Sequence, residues 1–472
     1  MPALLLLCAA QFMVILDITV VNVALPSIQA DLGIAIDDVQ WLITAYTLAF
    51  GGLLLVGGRA ADLFGRRPVF LAGLAVFTGA SLGAALAAST EALIAARVGQ
   101  GIGAAMLSPA ALSLITVTFP DGPQRQRALA AWAAVAASGG AFGVLAGGVL
   151  TEAFEWEAIF LINVPVGIAV ALGALRVLPE GSAEPCDQPR RIDLPGALLA
   201  TGSLVALIYA LVEAPSAGWG SAQTLGLLAA AAGGLAAFVA VEQRAQSPLV
   251  ALSVFRRRAT VTALVLMIAG MGTVLSSFFF LTQYLQHVLG HSALQTGLEF
   301  LPGALLLVVA AHAGGQLIAK VGAKPVLGAG MTLGAIGAFV LSGVSPNGSY
   351  LADVLPGLLV LDAGIGLAAS GIFITAMAGV GHDEAGLVSG LTTTAHEIGI
   401  ALVLPVLSTI AVSTIGSDTL AASADIDPAQ VTAGFGDAFR AAAAIGLGAA
   451  LLAVIALRRD DVAPGTQPAF AH

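Results

Sequence analysis

Charged residues are scarce in this chain. They make up 10% of its 472 residues, whereas a soluble domain of this size carries about 25%. Hydrophobic residues make up 58%, and the mean hydropathy is +0.97. A soluble fold has no interior large enough for this much apolar surface, so the excess must face lipid. The composition therefore excludes a soluble protein and predicts an all-α polytopic membrane protein.

Residue patterns for covalent and metal chemistry are also sparse. The two cysteines, Cys8 and Cys186, fall in different compartments on the topology below, so we expect neither a disulfide nor a thiolate metal site. There is no GxxxxGK[ST] loop for ATP, and the six histidines lack zinc-ligand spacing. We therefore expect no enzyme activity, no metal and no cofactor, and an ion gradient as the energy source.

Apolar runs and basic residues together predict the topology. Fourteen stretches approach the length of about 20 residues that a membrane-spanning helix needs. If the N-terminus is cytoplasmic, all but two of the 18 lysines and arginines fall on the cytoplasmic side, the exceptions being Arg97 and Arg440. We predict fourteen transmembrane helices with both termini cytoplasmic. The first stretch lacks the basic start of a signal peptide, so we interpret it as the first helix.

Two predicted cytoplasmic loops share residues at one offset. GRAADLFGRR at 58–67 and GQLIAKVGAK at 315–324 match at the first glycine, the second glycine and the final basic residue. Eight helices separate the two loops, which fits two six-helix halves with two extra helices between them. Chance recurrence of basic turns is the alternative. The predicted division is 1–180 for the N-terminal half, 181–258 for the extra helices, 259–460 for the C-terminal half and 461–472 for a cytoplasmic tail.

Several segments resemble one known family along nearly the whole chain. They are LDITVVNVALP at 16–26, GRAADLFGRRP at 58–68, RVGQGIGAA at 97–105, IFLINVPVG at 159–167 and YLQHVLGHSALQTGLEFLP at 284–302. Together they are similar to the fourteen-helix drug:proton antiporter family of the major facilitator superfamily. The resemblance implies the major facilitator fold and proton-coupled efflux of small amphipathic molecules, such as drugs or antibiotics, by alternating access.

The same resemblance implies the setting in which the protein works. We expect a multi-pass protein of the cytoplasmic membrane that acts as a monomer on a small molecule and protons, without nucleic acid. A proton-coupled uptake symporter of the same fold is one alternative, because fold does not determine direction. A transport-inactive membrane sensor is a second.

Five ionisable residues stand out within predicted helices, where a charge costs about 2.5–3.5 kcal/mol or more and therefore indicates function. Asp17 and Arg97 lie at similar depth below the outer ends of the first and fourth helices, so we predict that they meet. Their pair is either a proton-linked switch or a static salt bridge. His396 and Glu397 lie near mid-membrane, where they either carry protons or bind a cation, or else form a packing pair; adjacent residues on a helix need not touch. Asp362 is a further candidate for proton coupling.

Glycine and loop residues complete the candidate site. Gly139, Gly143 and Gly147 recur every four residues, with Gly148 beside them, and predict close helix approach, either for sliding or for plain packing. The loop after the second helix is a candidate gate or a simple positive-inside anchor, through Gly58, Arg59, Asp62, Gly65, Arg66 and Arg67. Residues predicted to line the cavity are Asn22, Gln100, Gly101 and Thr393.

Overall fold

The computed structural model describes residues 2–34, 38–119, 123–178, 193–245, 250, 252–380, 382–415 and 428–458. The tail at 461–472 and Cys186 lie outside this set, as does the side chain of Asp62. The described α-helices are α1 Pro2–Leu32, α2 Trp41–Phe64, α3 Arg66–Ala85, α4 Thr90–Thr118, α5 Pro123–Phe154, α6 Ala158–Leu161, α7 Asn163–Val177, α8 Leu194–Ala217, α9 Ala222–Glu242, α10 Arg258–Gln283, α11 Ala293–Val321, α12 Ala323–Leu341, α13 Leu355–Ala376, α14 His382–Ile415 and α15 Pro428–Ala456.

Helices form here because lipid offers no hydrogen-bond partner to the backbone, so each apolar run must satisfy its own N–H and C=O groups. Within the described residues, twelve helices are long and apolar enough to cross a membrane. The helices α2 and α5 contribute the shorter apolar stretches Trp41–Leu54 and Phe142–Phe154. The predicted membrane class is confirmed, whereas the count of fourteen crossings is not.

The helices pack into two groups. One contains α1 to α7, the other contains α10 to α15, and α8 contacts α9, α2 and α14. We call the groups the N half and the C half. The boundaries assigned from the sequence to the two halves and the linker stay a prediction.

The two halves repeat the same local geometry. Gly65 and Gly322, the matched glycines of the two loops, both have positive φ, at 94° and 83°, and each joins two helices directly. A Cβ on Gly73 of α3 would lie 2.8 Å from the carbonyl oxygen of Gly103 on α4. Gly330 of α12 lies 257 residues after Gly73, and a Cβ there would lie 2.8 Å from the carbonyl oxygen of Gly364 on α13, which lies 261 residues after Gly103. The internal repeat is therefore structural as well as sequential.

The halves close against each other at the outer ends of their helices, where outer means the side opposite the predicted cytoplasmic arginines. The Gln286 amide donates to the Val23 carbonyl over 2.8 Å, and the Leu294 amide donates to a Glu152 carboxylate oxygen over 3.1 Å. The inner part of α1 packs into the core of the N half, whereas its outer part from Val20 to Ile28 packs into the core shared with the C half. The inner part of α1 therefore packs within the N half, and its outer part packs between the two halves.

Candidate functional site

The buried charges Asp17 and Arg97 meet inside the N half. Asp17 on α1 and Arg97 on α4 form an ion pair with 1% of each side chain exposed. The remaining Asp17 oxygen accepts hydrogen bonds from the amides of Gln100 and Asn163, each over 2.8 Å. The contact predicted from depth and charge is present, and three donors compensate the carboxylate.

Arg97 is held on several sides at once. Its Nε donates to the Leu42 carbonyl over 2.8 Å, and one terminal nitrogen also donates to the Gln100 side-chain oxygen over 2.8 Å. Its guanidinium lies 4.4 Å from the centre of the Tyr46 ring, which adds a cation–π contact. In this conformation Gln100 is a partner in the ion-pair network and not part of a cavity wall. Gly101 is buried likewise, because a Cβ there would lie 2.5 Å from the Tyr46 carbonyl oxygen.

Two members of this network were not among the candidates from the sequence. They are Asn163 on α7 and Ser81 on α3, whose hydroxyl accepts from Gln100 over 2.9 Å. Ser81 belongs to a GxSxG string at 79–83, but this string lies inside α3 and not on a strand-to-helix turn, so it is not a nucleophile elbow. Asn163 stands in the IFLINVPVG segment, which is the signal that could have pointed to it.

His396 and Glu397 lie where α14 meets α2 of the other half. The His396 Nδ1 is 3.0 Å from the Glu397 Oε1, so the neighbours do touch. Glu397 is buried, and its Oε2 has no hydrogen-bond partner among the residues described. Gly51 of α2 makes room for it, because a Cβ at that position would lie 2.7 Å from the Glu397 Cβ. Sequence reasoning missed Gly51, since this contact depends on how the two halves are placed.

Asp362 is a buried carboxylate without a hydrogen-bond partner in the described part of the chain. It lies on α13, where Gly303 of α11 leaves space for its carboxyl group. Because Gly103 corresponds to Gly364, the residue that corresponds to Asp362 in the N half is Gly101. The C half thus places an acid where the N half has no side chain.

The four predicted glycines of α5 contact two different helices. Added Cβ atoms on Gly139, Gly143 and Gly147 would meet Ile15, Thr19 and Val20 of α1, all within the N half. A Cβ on Gly148 would instead lie 2.7 Å from the carbonyl oxygen of Ala293 on α11. The three-residue stripe is therefore the α1–α5 seam, and Gly148 alone of the four contacts the C half.

Asn22 lines a small pocket between the halves. Its neighbours there are Thr19 and Val23 of α1, Val144 of α5, and Phe278 and Phe300 of the C half. Asn22 is 3% exposed, and neither atom of its amide has a hydrogen-bond partner within the described ranges. A buried amide without partners is costly, which suits a position that gains a partner in another conformation or with a ligand.

The remaining predicted residues lie at the inner side. Thr393 is partly exposed and donates to the Ser389 carbonyl over 3.1 Å. In the candidate gate, the Arg67 guanidinium donates to the Leu175 carbonyl of α7 over 2.6 Å. Gly58 packs near Pro109 of α4, and the side chains of Arg59 and Arg66 are partly exposed.

Glu152 supplies a first prediction about the outer closure. Replacing it with glutamine should increase the outward-open population by about two- to tenfold, because one or two hydrogen bonds to the start of α11 weaken. The measurement is the rate at which a membrane-impermeant maleimide, added outside, labels Val144→Cys in the inter-half pocket. Glu155→Gln, an exposed acid three residues away, is the matched control and should leave the rate unchanged.

These features define a polytopic membrane transporter: two repeated helix bundles, closed on one side, with ionisable groups buried in and between them. The family model described as Major Facilitator Superfamily matches residues 7–404, and the chain belongs to that family. This membership confirms the superfamily predicted from the motifs. Members are transporters and not enzymes.

Curated relatives agree with this assignment, and a solved structure shares the fold. The chain is 42% identical to the cephamycin export protein CmcT of Amycolatopsis lactamdurans, over 100% of this chain and 94% of that protein. It is 38% identical to the puromycin resistance protein pur8 of Streptomyces alboniger, over 96% of this chain and 89% of the relative. The crystal structure of the POT family transporter PepTSo aligns with a TM-score of 0.67 at 14% identity, covering 96% and 97% of the two chains.

Proposed function

We propose that this protein exports small amphipathic molecules, such as antibiotics, across the cytoplasmic membrane in exchange for protons. The similarity to a cephamycin export protein and a puromycin resistance protein supports efflux and the antibiotic class. The direction and the proton coupling are our extension of that similarity, as are the monomeric state and the particular membrane.

The observation that carries the proposal is the position of Asp17 on α1. Asp17 is locked to Arg97 inside the N half, while the outer part of the same helix closes against the C half. Protonation of Asp17 removes its charge and weakens its three charge-assisted contacts, so the change acts on the helix that holds the outer side closed. A proton bound from outside can thereby bias the equilibrium between the two access states.

Alternating access then follows from the two ends of the interface. The state described here is closed outside, so a substrate enters from the inner side and reaches the level of Glu397, where α2 meets α14. Opening of the outer contacts exposes the Asn22 pocket to the outside. A proton that reaches Asp17 from the outside then biases the return to the inner-facing state, and the proton gradient supplies the energy without any cofactor.

Inverted membrane vesicles test this proposal. We load them with protons, follow the internal pH with a fluorescent dye, and add puromycin, lincomycin or a cephamycin to the bath. An antiporter releases protons when its substrate enters, and Asp17→Asn should abolish that release at normal expression. Asp437→Asn, which removes the acid of the exposed pair with Arg440, is the control and should behave as wild type. An uptake symporter would give no release on addition, and this result would reject export.

A further inference from the structure

His396 and Glu397 form an unequal pair. The Glu397 side chain is 4% exposed and the His396 side chain is 34% exposed, yet their polar atoms are 3.0 Å apart. The imidazole therefore contacts one oxygen of the carboxylate, while part of the ring stays accessible to solvent. The second oxygen, Oε2, is buried and has no partner among the described residues.

No other cation in the described part of the chain lies within ion-pair distance of Glu397. On α2, the ionisable side chain that faces Glu397 is Tyr46, whose hydroxyl donates to the Val14 carbonyl. Arg97 stacks on the Tyr46 ring and is paired with Asp17. On α10, Ile268 packs against the same stretch of α14 at Gly399. On α8, Thr201 bonds to the Gly52 carbonyl of α2.

The inner half of α14 gives access to this pair. Ser389, Thr393 and His396 are partly exposed and recur at helical spacing on one face. A row of polar side chains is disfavoured against lipid, so we assign this face to the cavity that opens inward. A substrate arriving from the inner side meets His396 at the end of this row.

We propose that His396 is a built-in competitor for organic cations at Glu397. When the imidazole is charged, it pairs with the carboxylate and excludes a cationic substrate. When the imidazole is neutral, a cationic substrate displaces it from the carboxylate. The inference rests on the proposed function, because it assigns Glu397 to the substrate path. His396 then makes the acceptance of cations depend on pH, because an imidazole has a charged and a neutral form.

Binding of tetraphenylphosphonium to the purified protein in detergent tests the proposal. This probe keeps its charge at every pH, so any pH dependence belongs to the protein. We expect wild-type binding to be about tenfold weaker at pH of about 6 than at about 8, where one charge state of imidazole replaces the other. His396→Gln, which mimics the neutral ring, should equal wild type at the higher pH and bind more tightly than wild type at the lower one.

His396→Lys mimics the charged ring, so it should bind about tenfold more weakly than wild type at the higher pH and as weakly as wild type at the lower one. Glu397→Gln should abolish binding throughout. His312→Gln, at an exposed histidine of α11 that is hydrogen-bonded to Gln316, should match wild type. Parallel pH profiles for wild type and His396→Gln would overturn the inference, as would wild-type protein that does not bind the probe. Binding in detergent needs no gradient, so failure of antiport in vesicles is a separate result.

Discussion

Replacing Arg97 with leucine should abolish transport and lower the stability of the protein by about 3–5 kcal/mol. The reason is that Asp17 keeps its buried position in the N half and loses the one cation that pairs with it in the described part of the chain. The two amides that remain, from Gln100 and Asn163, cannot neutralise a full charge in a membrane interior. Thermal unfolding in detergent measures the loss of stability, and proton release in inverted vesicles measures transport.

Adding Asp17→Asn to Arg97→Leu separates folding from coupling. The double variant has no unpaired charge, so it should recover most of the lost stability but none of the proton-driven transport. Arg440→Leu is the matched control, because its ion pair with Asp437 is exposed, and it should cost less than about 1 kcal/mol. Wild-type stability and transport in Arg97→Leu would show that the ion pair neither holds the helices nor works in the cycle.

The fold was predictable because lipid imposes a simple rule on sequence. Long apolar runs predicted the helices, and the segregation of arginine and lysine predicted their orientation. The match between Gly65 and Gly322 revealed the repeat, because a helix-to-helix turn with positive φ favours glycine in both halves. The count of fourteen crossings is not confirmed, because the described parts of α2 and α5 contribute only the shorter apolar stretches Trp41–Leu54 and Phe142–Phe154.

The candidate site was predictable only in part. Opposite charges at similar depth predicted the pairing of Asp17 with Arg97, because an unpaired charge is costly in a membrane. Asn163 and Ser81 are neutral, so nothing in their depth distinguishes them from other polar residues, and their convergence depends on helix rotation. The contact between Gly51 and Glu397 joins the two halves, and a linear pattern does not encode how the halves are placed.

Gly143→Leu should give a protein that inserts normally and transports nothing. A Cβ on Gly143 would lie 2.9 Å from the Thr19 Cβ and would collide with its hydroxyl oxygen, which bonds to the Leu16 carbonyl. The side chain therefore has to push α1 away from α5, and overpacking of this kind typically costs about 1–3 kcal/mol. The displaced helix carries Asp17 and the outer contacts, so the damage reaches both the proton site and the closure.

Two further variants test whether transport requires close packing at the α1–α5 seam or is lost when any glycine within a helix is replaced. Gly233→Leu on α9 has no heavy atom within 4 Å of the added Cβ and should transport as wild type. Gly143→Ala should be less severe than leucine, and combining it with Thr19→Ala should restore part of the activity, because the colliding hydroxyl is gone. The readout is proton release at matched expression. If Gly143→Leu and Gly233→Leu behaved alike, close approach of α5 to α1 would not be what transport requires, and Asp17 would have to act through α4 instead.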